Sequence, residues 1–259
     1  MTRLLPGRPC QAVPPGLYAE SHVTGSPMSL PPIVVFDLDG TLAETAPDIM
    51  RTLNVILERE GLAALPLERA RELVGAGARA LIERGFKVSG RPLETEKLEQ
   101  LFESFLGIYA DGVAGDSFVH EGVGAALDEL AADGFVFAVC TNKPIRHTRL
   151  FLDHFGLSGR FAAIAGRDSF AFCKPDPRHL TQTIAHAGAD PARAVMVGDS
   201  RTDVNTARAA GIPVVCVPFG YTDVPVEALA PDLVIQHFSE LPQAVRQLAD
   251  REPALAARS

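Results

Sequence analysis

The sequence predicts a doubly wound parallel α/β sheet with an all-helical cap inserted after its first strand. Two observations predict it. Short, continuous apolar runs alternate with amphipathic helical segments, and the helices stop at glycines. One long stretch, from Thr45 to about Gly115, breaks that alternation and carries only helical periodicity.

The elements follow in order. Residues 1–27 are rich in Pro and Gly and lack the apolar block of a secretory signal. Residues 1–30 therefore read as a disordered leader, with Met28 as an alternative translation start. A transit peptide is the weaker reading, because the segment holds only Arg3 and Arg8 and has no amphipathic face. Ile33–Phe36 (IVVF) suits a strand buried on both faces of a parallel sheet. Thr45-Ala-Pro-Asp48 is a helix start, with the Thr45 hydroxyl as cap. Ile49, Leu53, Ile56 and Leu57 then share one face until Gly61. Shorter helices near Leu67–Val74 and Ala78–Arg84 flank the turn Gly75-Ala-Gly77. Leu98, Leu101, Phe102, Phe105, Ile108 and Tyr109 line another helix, and this aromatic stripe reads as packing surface.

The alternation then resumes. Predicted strands are Phe135–Cys140, Phe161–Ala165, Ala194–Val197 and Pro213–Val217, with Leu233–Ile235 as a short edge strand. Predicted helices are Val123–Ala132, Pro144–Phe155, Arg178–Ala187 and Thr202–Ala210. The core is thus assigned to residues 31–44 and 116–259, and the cap to residues 45–115.

Composition narrows the function. Of 259 residues, 47% are apolar and 22% charged, as in ordinary globular chains. The net charge of −8 gives nucleic acid or an anionic membrane no electrostatic attraction, so neither is an expected partner. No apolar run approaches the ~18 residues of a membrane span. Cys10, Cys140, Cys173 and Cys216 show no zinc-type spacing. Cys140 and Cys216 read as small buried hydrophobes, and reduced thiols suit the cytoplasm.

Four clusters fall just past predicted strand ends, the edge where open α/β sheets bind ligands. Asp37-Leu-Asp39-Gly-Thr41 places two carboxylates two positions apart before a tight turn. Cys140-Thr141-Asn142-Lys143 presents a hydroxyl at the next strand end. Lys174-Pro175-Asp176-Pro177 restrains a lysine between two prolines. Gly198-Asp199-Ser200-Arg-Thr-Asp203 brings a third strand-end carboxylate and a fourth one helical turn on. Each has a plainer explanation, as an acidic turn, a surface lysine or a helix cap. Together, three or four carboxylates at one edge repel unless a cation joins them. Oxygen-only donors favour a hard ion, Mg²⁺ at a phosphate site.

The order DxDGT, T, K, GDSxxD closely resembles the haloacid dehalogenase superfamily of phosphatases, from about Ile33 to Leu248. The segments FDLDGTLAETAPDI, VGAGARALI, VCTNKP, KPDP, VMVGDSRTDVNTARAAGIP and FGYTDVPVEALAPDLVI look like its bacterial phosphoglycolate phosphatase subfamily. The resemblance implies a Mg²⁺-dependent phosphomonoester hydrolase acting on a small phosphorylated substrate. By it, Asp37 is the nucleophile and Asp39 the general acid–base. Asp37, the Asp39 carbonyl and Asp199 hold the ion, with Asp203 behind them through a water. Thr141, the Asn142 amide and Lys174 bind the phosphoryl group.

The cap then selects the substrate. Gly75 and Gly77 offer amides to an anion such as a glycolate carboxylate, and Arg79 assists; an ordinary interhelical turn is the equal alternative. Arg167, where the family commonly has glycine, and His120-Glu121-Gly122, in place of an aromatic-Pro-Gly turn, depart from the subfamily's pattern. Other readings are a phosphatase for an amino-sugar or sugar phosphate, a phosphomutase of the same fold, and a phospho-accepting receiver domain. The receiver is disfavoured because its phosphorylated Asp follows a middle strand. The chain is expected to work as a monomer or homodimer.

Overall fold

A computed structural model describes residues 29–75, 77–222 and 224–249. The leader assigned to residues 1–30 lies, up to residue 28, outside the described residues. Six parallel strands form the central sheet: β1 (Ile33–Phe36), β4 (Val136–Cys140), β5 (Ala163–Ala165), β6 (Ala194–Gly198), β7 (Val214–Cys216) and β8 (Leu233–Val234). Their order is β5-β4-β1-β6-β7-β8. The chain steps outward from β1 in one direction, returns past it, and continues in the other. That reversal leaves a crevice at the ends of β1, β4 and β6.

Alternation along each strand divides the sheet into two apolar faces. Val34, Phe36, Phe137, Val139, Val195 and Val197 pack with α5 (Val123–Ala132), α6 (Ile145–His154) and α9 (Leu241–Ala249). Ile33, Val35, Ala138, Cys140, Met196 and Val214 face α7 (Pro177–His186) and α8 (Arg201–Ala210). Every β1 side chain is fully buried, as a strand between two helical layers requires.

The insert has its own apolar cluster, built by α1 (Ala46–Arg59), α2 (Ala70–Leu73), α3 (Ala78–Val88) and α4 (Thr95–Asp111). Leu53, Ile56, Leu57, Ile82, Phe86, Phe102, Phe105 and Tyr109 are buried there. Gly85 lets α3 press on α1, since a Cβ there would stand 3.0 Å from Leu53. Two antiparallel strands, β2 (Ala43–Glu44) and β3 (Phe118–Val119), tie the outgoing and returning chain together. Buried Asp48 reinforces the tie by accepting from the Ser117 hydroxyl (2.6 Å) and the Ser117 N–H (3.1 Å).

Three details differ from expectation. The Leu67–Val74 segment is a 3-10 turn at Leu67–Arg69 followed by the short α2. Helix α3 continues four residues past Arg84. Thr45 does not cap α1 with its side chain. Its hydroxyl turns back to Asp39 instead.

Candidate active site

Strand β1 ends in Asp37, whose N–H is held by the Val197 carbonyl (2.9 Å). The chain then turns through Gly40 at φ +82°, a conformation that favours glycine. A Cβ at Gly40 would also stand 2.7 Å from Asp199 Oδ2. This turn lets Thr41 donate to Asp199 Oδ1 (2.8 Å), while the Tyr221 N–H donates to Oδ2 (2.5 Å). Asp199 is thereby fixed at the end of β6.

Asp203 closes a capping box at the start of α8. Its Oδ2 accepts from the Ser200 hydroxyl (2.6 Å) and the Ser200 N–H (3.1 Å). Its Oδ1 accepts from Lys174 Nζ (2.6 Å), which also lies 3.0 Å from Asp37 Oδ1. The Lys174 side chain is 1% exposed. Asn142 Nδ2 donates to the Lys174 carbonyl (3.0 Å), joining the loop after β4 to the loop before α7. Thr141 Oγ1 accepts from the Lys143 N–H (3.2 Å).

Ligand oxygens of Asp37, Asp199 and Asp203 all lie within 4.8 Å of one another, and all three residues are buried. Burial pushes the Asp37 carboxyl up to about 6; Lys174 opposes the rise, and Asp203 and Asp39 add to it. Burial, then Asp203 and Asp37, push Asp199 well above the usual carboxylate range. Lys174 goes the other way: burial alone would lower it, but Asp203 and Asp37 outweigh burial and raise it. One buried ammonium among three buried carboxylates leaves negative charge that a hard cation can balance. The donor set, all oxygen and preformed, fits a divalent ion of the Mg²⁺ type.

Above these groups is a small cavity of about 50 Å³, lined by Asp37, Asp39, Thr141 and Asn142 from the core and by Gly75, Gly77, Leu81 and Phe105 from the insert. Such a volume admits a few water-sized groups. Arg79 does not line it. The Arg79 guanidinium pairs with Glu99 (Nε to Oε1, 2.8 Å) and lies 3.6 Å over the Phe102 ring. The expected help from Arg79 with an anion is therefore corrected: its charge is spent inside the insert.

Two residues with no assigned role also line the cavity. Lys143 Nζ donates to Asp39 Oδ1 (2.9 Å) and to Tyr109 Oη (2.8 Å), and its side chain is 5% exposed. Burial would lower Lys143, but Asp39 and Tyr109 outweigh it and raise it. Lys143 sits in the quoted strand-end cluster, but nothing local distinguishes it from an ordinary turn lysine. Tyr109 belongs to the stripe read as packing, and its ring does stack on Phe105; its hydroxyl reaches Lys143, whose Nζ also lies 4.3 Å from the ring centroid. Tyr221 was also missed. Its hydroxyl accepts from the Thr45 and Ala46 N–H groups and donates to Glu44.

A parallel sheet with its reversal at β1, a strand-end aspartate pair and a gathered acid–lysine cluster define a hydrolase of the haloacid dehalogenase type. Residues 34–217 match the family described as haloacid dehalogenase-like hydrolase, and the chain belongs to that family. Among its relatives, a phosphoglycolate phosphatase of Mesorhizobium japonicum is 48% identical over 210 residues, covering 81% of this chain and 92% of the relative. A phosphoglycolate phosphatase of Caulobacter vibrioides is 45% identical over 221 residues, covering 85% and 93%. The crystal structure of a predicted phosphoglycolate phosphatase from Haemophilus somnus superposes with a TM-score of 0.77 at 28% identity, covering 84% of this chain and 99% of that one.

Proposed function

We propose that this chain is a Mg²⁺-dependent phosphatase that hydrolyses 2-phosphoglycolate to glycolate and phosphate. The observation that carries the reading is Asp37: a strand-end carboxylate facing a small cavity, ion-paired with buried Lys174. The names of the relatives support the choice of ester.

Asp37 attacks phosphorus, the bond to the ester oxygen breaks, and an aspartyl-phosphate forms. Asp39 gives its proton to the departing alkoxide. It then takes a proton from the water that attacks the aspartyl-phosphate, which frees phosphate and regenerates Asp37. Both donors to Asp39, the Thr45 hydroxyl (2.7 Å) and Lys143, bind Oδ1, so Oδ2 is left for proton transfer. Thr141, the Asn142 amide and Lys174 hold the phosphoryl oxygens. The Asp37 carboxylate, the Asp39 carbonyl and Asp199 would hold Mg²⁺; Asp203 acts by fixing Lys174 and the start of α8. When bound, the ion offsets the repulsion between Asp37 and the substrate dianion.

The amides of Gly75 and Gly77, at the edge of the cavity and before α3, serve the substrate's anionic end. The insert excludes polymers, so the partner is a small phosphorylated molecule rather than nucleic acid or membrane. No helix among the described residues is long and apolar enough to cross a membrane. Cys140, Cys173 and Cys216 are free thiols, which supports a cytoplasmic site of action for a monomer or homodimer.

The test is phosphate release from a panel of phosphate esters with Mg²⁺ and with EDTA. The expected outcome is Mg²⁺-dependent turnover led by 2-phosphoglycolate, abolished in Asp37→Asn. Equal, weak release from every ester, or full activity of Asp37→Asn, would refute the reading.

A further inference from the structure

We propose that Lys143 and Tyr109 together form the subsite that receives the substrate's second anionic group, across the joint between core and insert. The inference rests on the phosphatase reading above and assigns the residues that would read the carboxylate.

The argument is a count of donors. A lysine ammonium has three N–H groups. Lys143 spends one on Asp39 and one on Tyr109, which leaves a third. Tyr109 Oη accepts from Lys143, so its own O–H hydrogen is still available to donate; it meets no acceptor among the described residues. Two unspent donors thus stand 2.8 Å apart on residues that line the cavity. Both residues are buried, at 6% and 2% exposure, so leaving these donors unused is costly. A carboxylate, with two acceptor oxygens, matches such a pair.

Charge and position agree with the count. Lys143 is the one lysine or arginine among the described residues lining the cavity. His147 also lines it, but burial lowers its pKa. A second anion entering beside Asp37 and Asp39 meets repulsion that the uncharged Gly75 and Gly77 amides offset only in part, and Lys143 supplies the neutralising charge. The ester oxygen must face Asp39 to take its proton, and Lys143 Nζ is 2.9 Å from Asp39 Oδ1. A tail one carbon beyond that oxygen therefore falls beside Lys143. Of two other cations near this loop, Arg79 is paired with Glu99, and Arg167, whose Nη1 lies 3.8 Å from where a Gly77 Cβ would stand, does not line the cavity.

The experiment compares kcat/KM for 2-phosphoglycolate and for ethyl phosphate, which keeps the ester and lacks the carboxylate, at saturating Mg²⁺. The wild type is expected to favour 2-phosphoglycolate. Lys143→Met should reduce that preference roughly 10–100-fold, on top of any common loss from disturbing Asp39. Lys143→Arg should recover part of the preference. Tyr109→Phe, which keeps the ring and removes only the hydroxyl, should reduce it about 10-fold and weaken product inhibition by glycolate. If Lys143→Met does not fold, Tyr109→Phe decides. A wild type without preference overturns the substrate reading and this inference with it. A wild-type preference that survives in both Lys143→Met and Tyr109→Phe overturns this inference alone.

Discussion

Gly220→Ala tests whether the position of Asp199 controls the site, because it alters no proposed ligand. Gly220 has an ordinary φ, so alanine is not excluded by backbone conformation. Its Cβ, however, would stand 2.2 Å from Asp199 Oδ2 and 2.3 Å from Asp199 Cβ, where ordinary contact begins at 3.4 Å. The carboxylate or the loop must therefore move by about 1.2 Å, the gap between those distances. The bonds that hold Asp199, from Thr41 and from the Tyr221 N–H, oppose that shift. A misplacement of about 1 Å at a reacting centre can cost ~10²-fold in rate. Overpacking of this kind costs about 1–3 kcal/mol of stability. The assay is phosphate release against Mg²⁺ concentration, with a urea melt in parallel. The expected result is weaker Mg²⁺ activation and turnover reduced ~10²-fold in a folded protein. Gly124→Ala is the control, since Gly124 lies within α5 with nothing inside 4 Å. It should gain roughly 0.5–1 kcal/mol with unchanged activity. Wild-type Mg²⁺ dependence and rate in Gly220→Ala would refute the argument that packing around Asp199 sets the metal site.

Three further outcomes follow from the same groups. Lys174→Met leaves Asp37 and Asp203 without their buried partner and should cost about 3–5 kcal/mol in a urea melt, with turnover down ~10²–10³-fold. In metal-free protein the Asp37 carboxyl is raised to about 6, so the folded state binds more protons than the unfolded state between about 4 and 6. This group therefore makes stability fall as pH rises through that window, and protons should weaken Mg²⁺ binding below about pH 6; metal titrations at pH 5 and pH 8 check both. Burial would raise Asp48, but hydrogen bonds from Ser117, Arg51 and Asp116 outweigh it and lower the pKa, so its stabilisation holds above the unfolded value near 3.8 and is lost as pH falls through the lower folded value. Asp48→Asn should cost about 1–3 kcal/mol by thermal melt and flatten that acid limb.

The fold was legible because parallel strands buried on both faces leave short unbroken apolar runs. Ile33–Phe36 is observed as expected, and the other predicted strands shift by at most two residues at an end. The pair β2–β3 was not legible: two residues per strand carry no period, and Phe118 is 52% exposed. Helix α9 was overlooked although Leu241, Val245 and Leu248 have helical spacing. At the site, the strand-end carboxylates announced themselves because each follows an apolar run. The partners that orient them did not. Thr45 looks like a helix cap until Asp39, six residues back, is seen to claim its hydroxyl. Tyr109 and Lys143 are 34 residues apart and meet only because α4 lies across the cavity from β4. Arg79 shows the converse: its charge suggested an anion, and Glu99, 20 residues on, had already taken it.

The clasp between Asp48 and Ser117, beside the β2–β3 pairing, has an evolutionary corollary. The chain departs for the insert and comes home through one narrow doorway, and Asp37, Thr141 and Lys174 all lie on the core side of it. Everything between the two doorposts could be exchanged as a cassette while the hydrolytic machinery stayed untouched. New substrates would then be acquired by rewriting residues 49–111, with Lys143, as proposed above, the core's own contribution to what the new lid is asked to read.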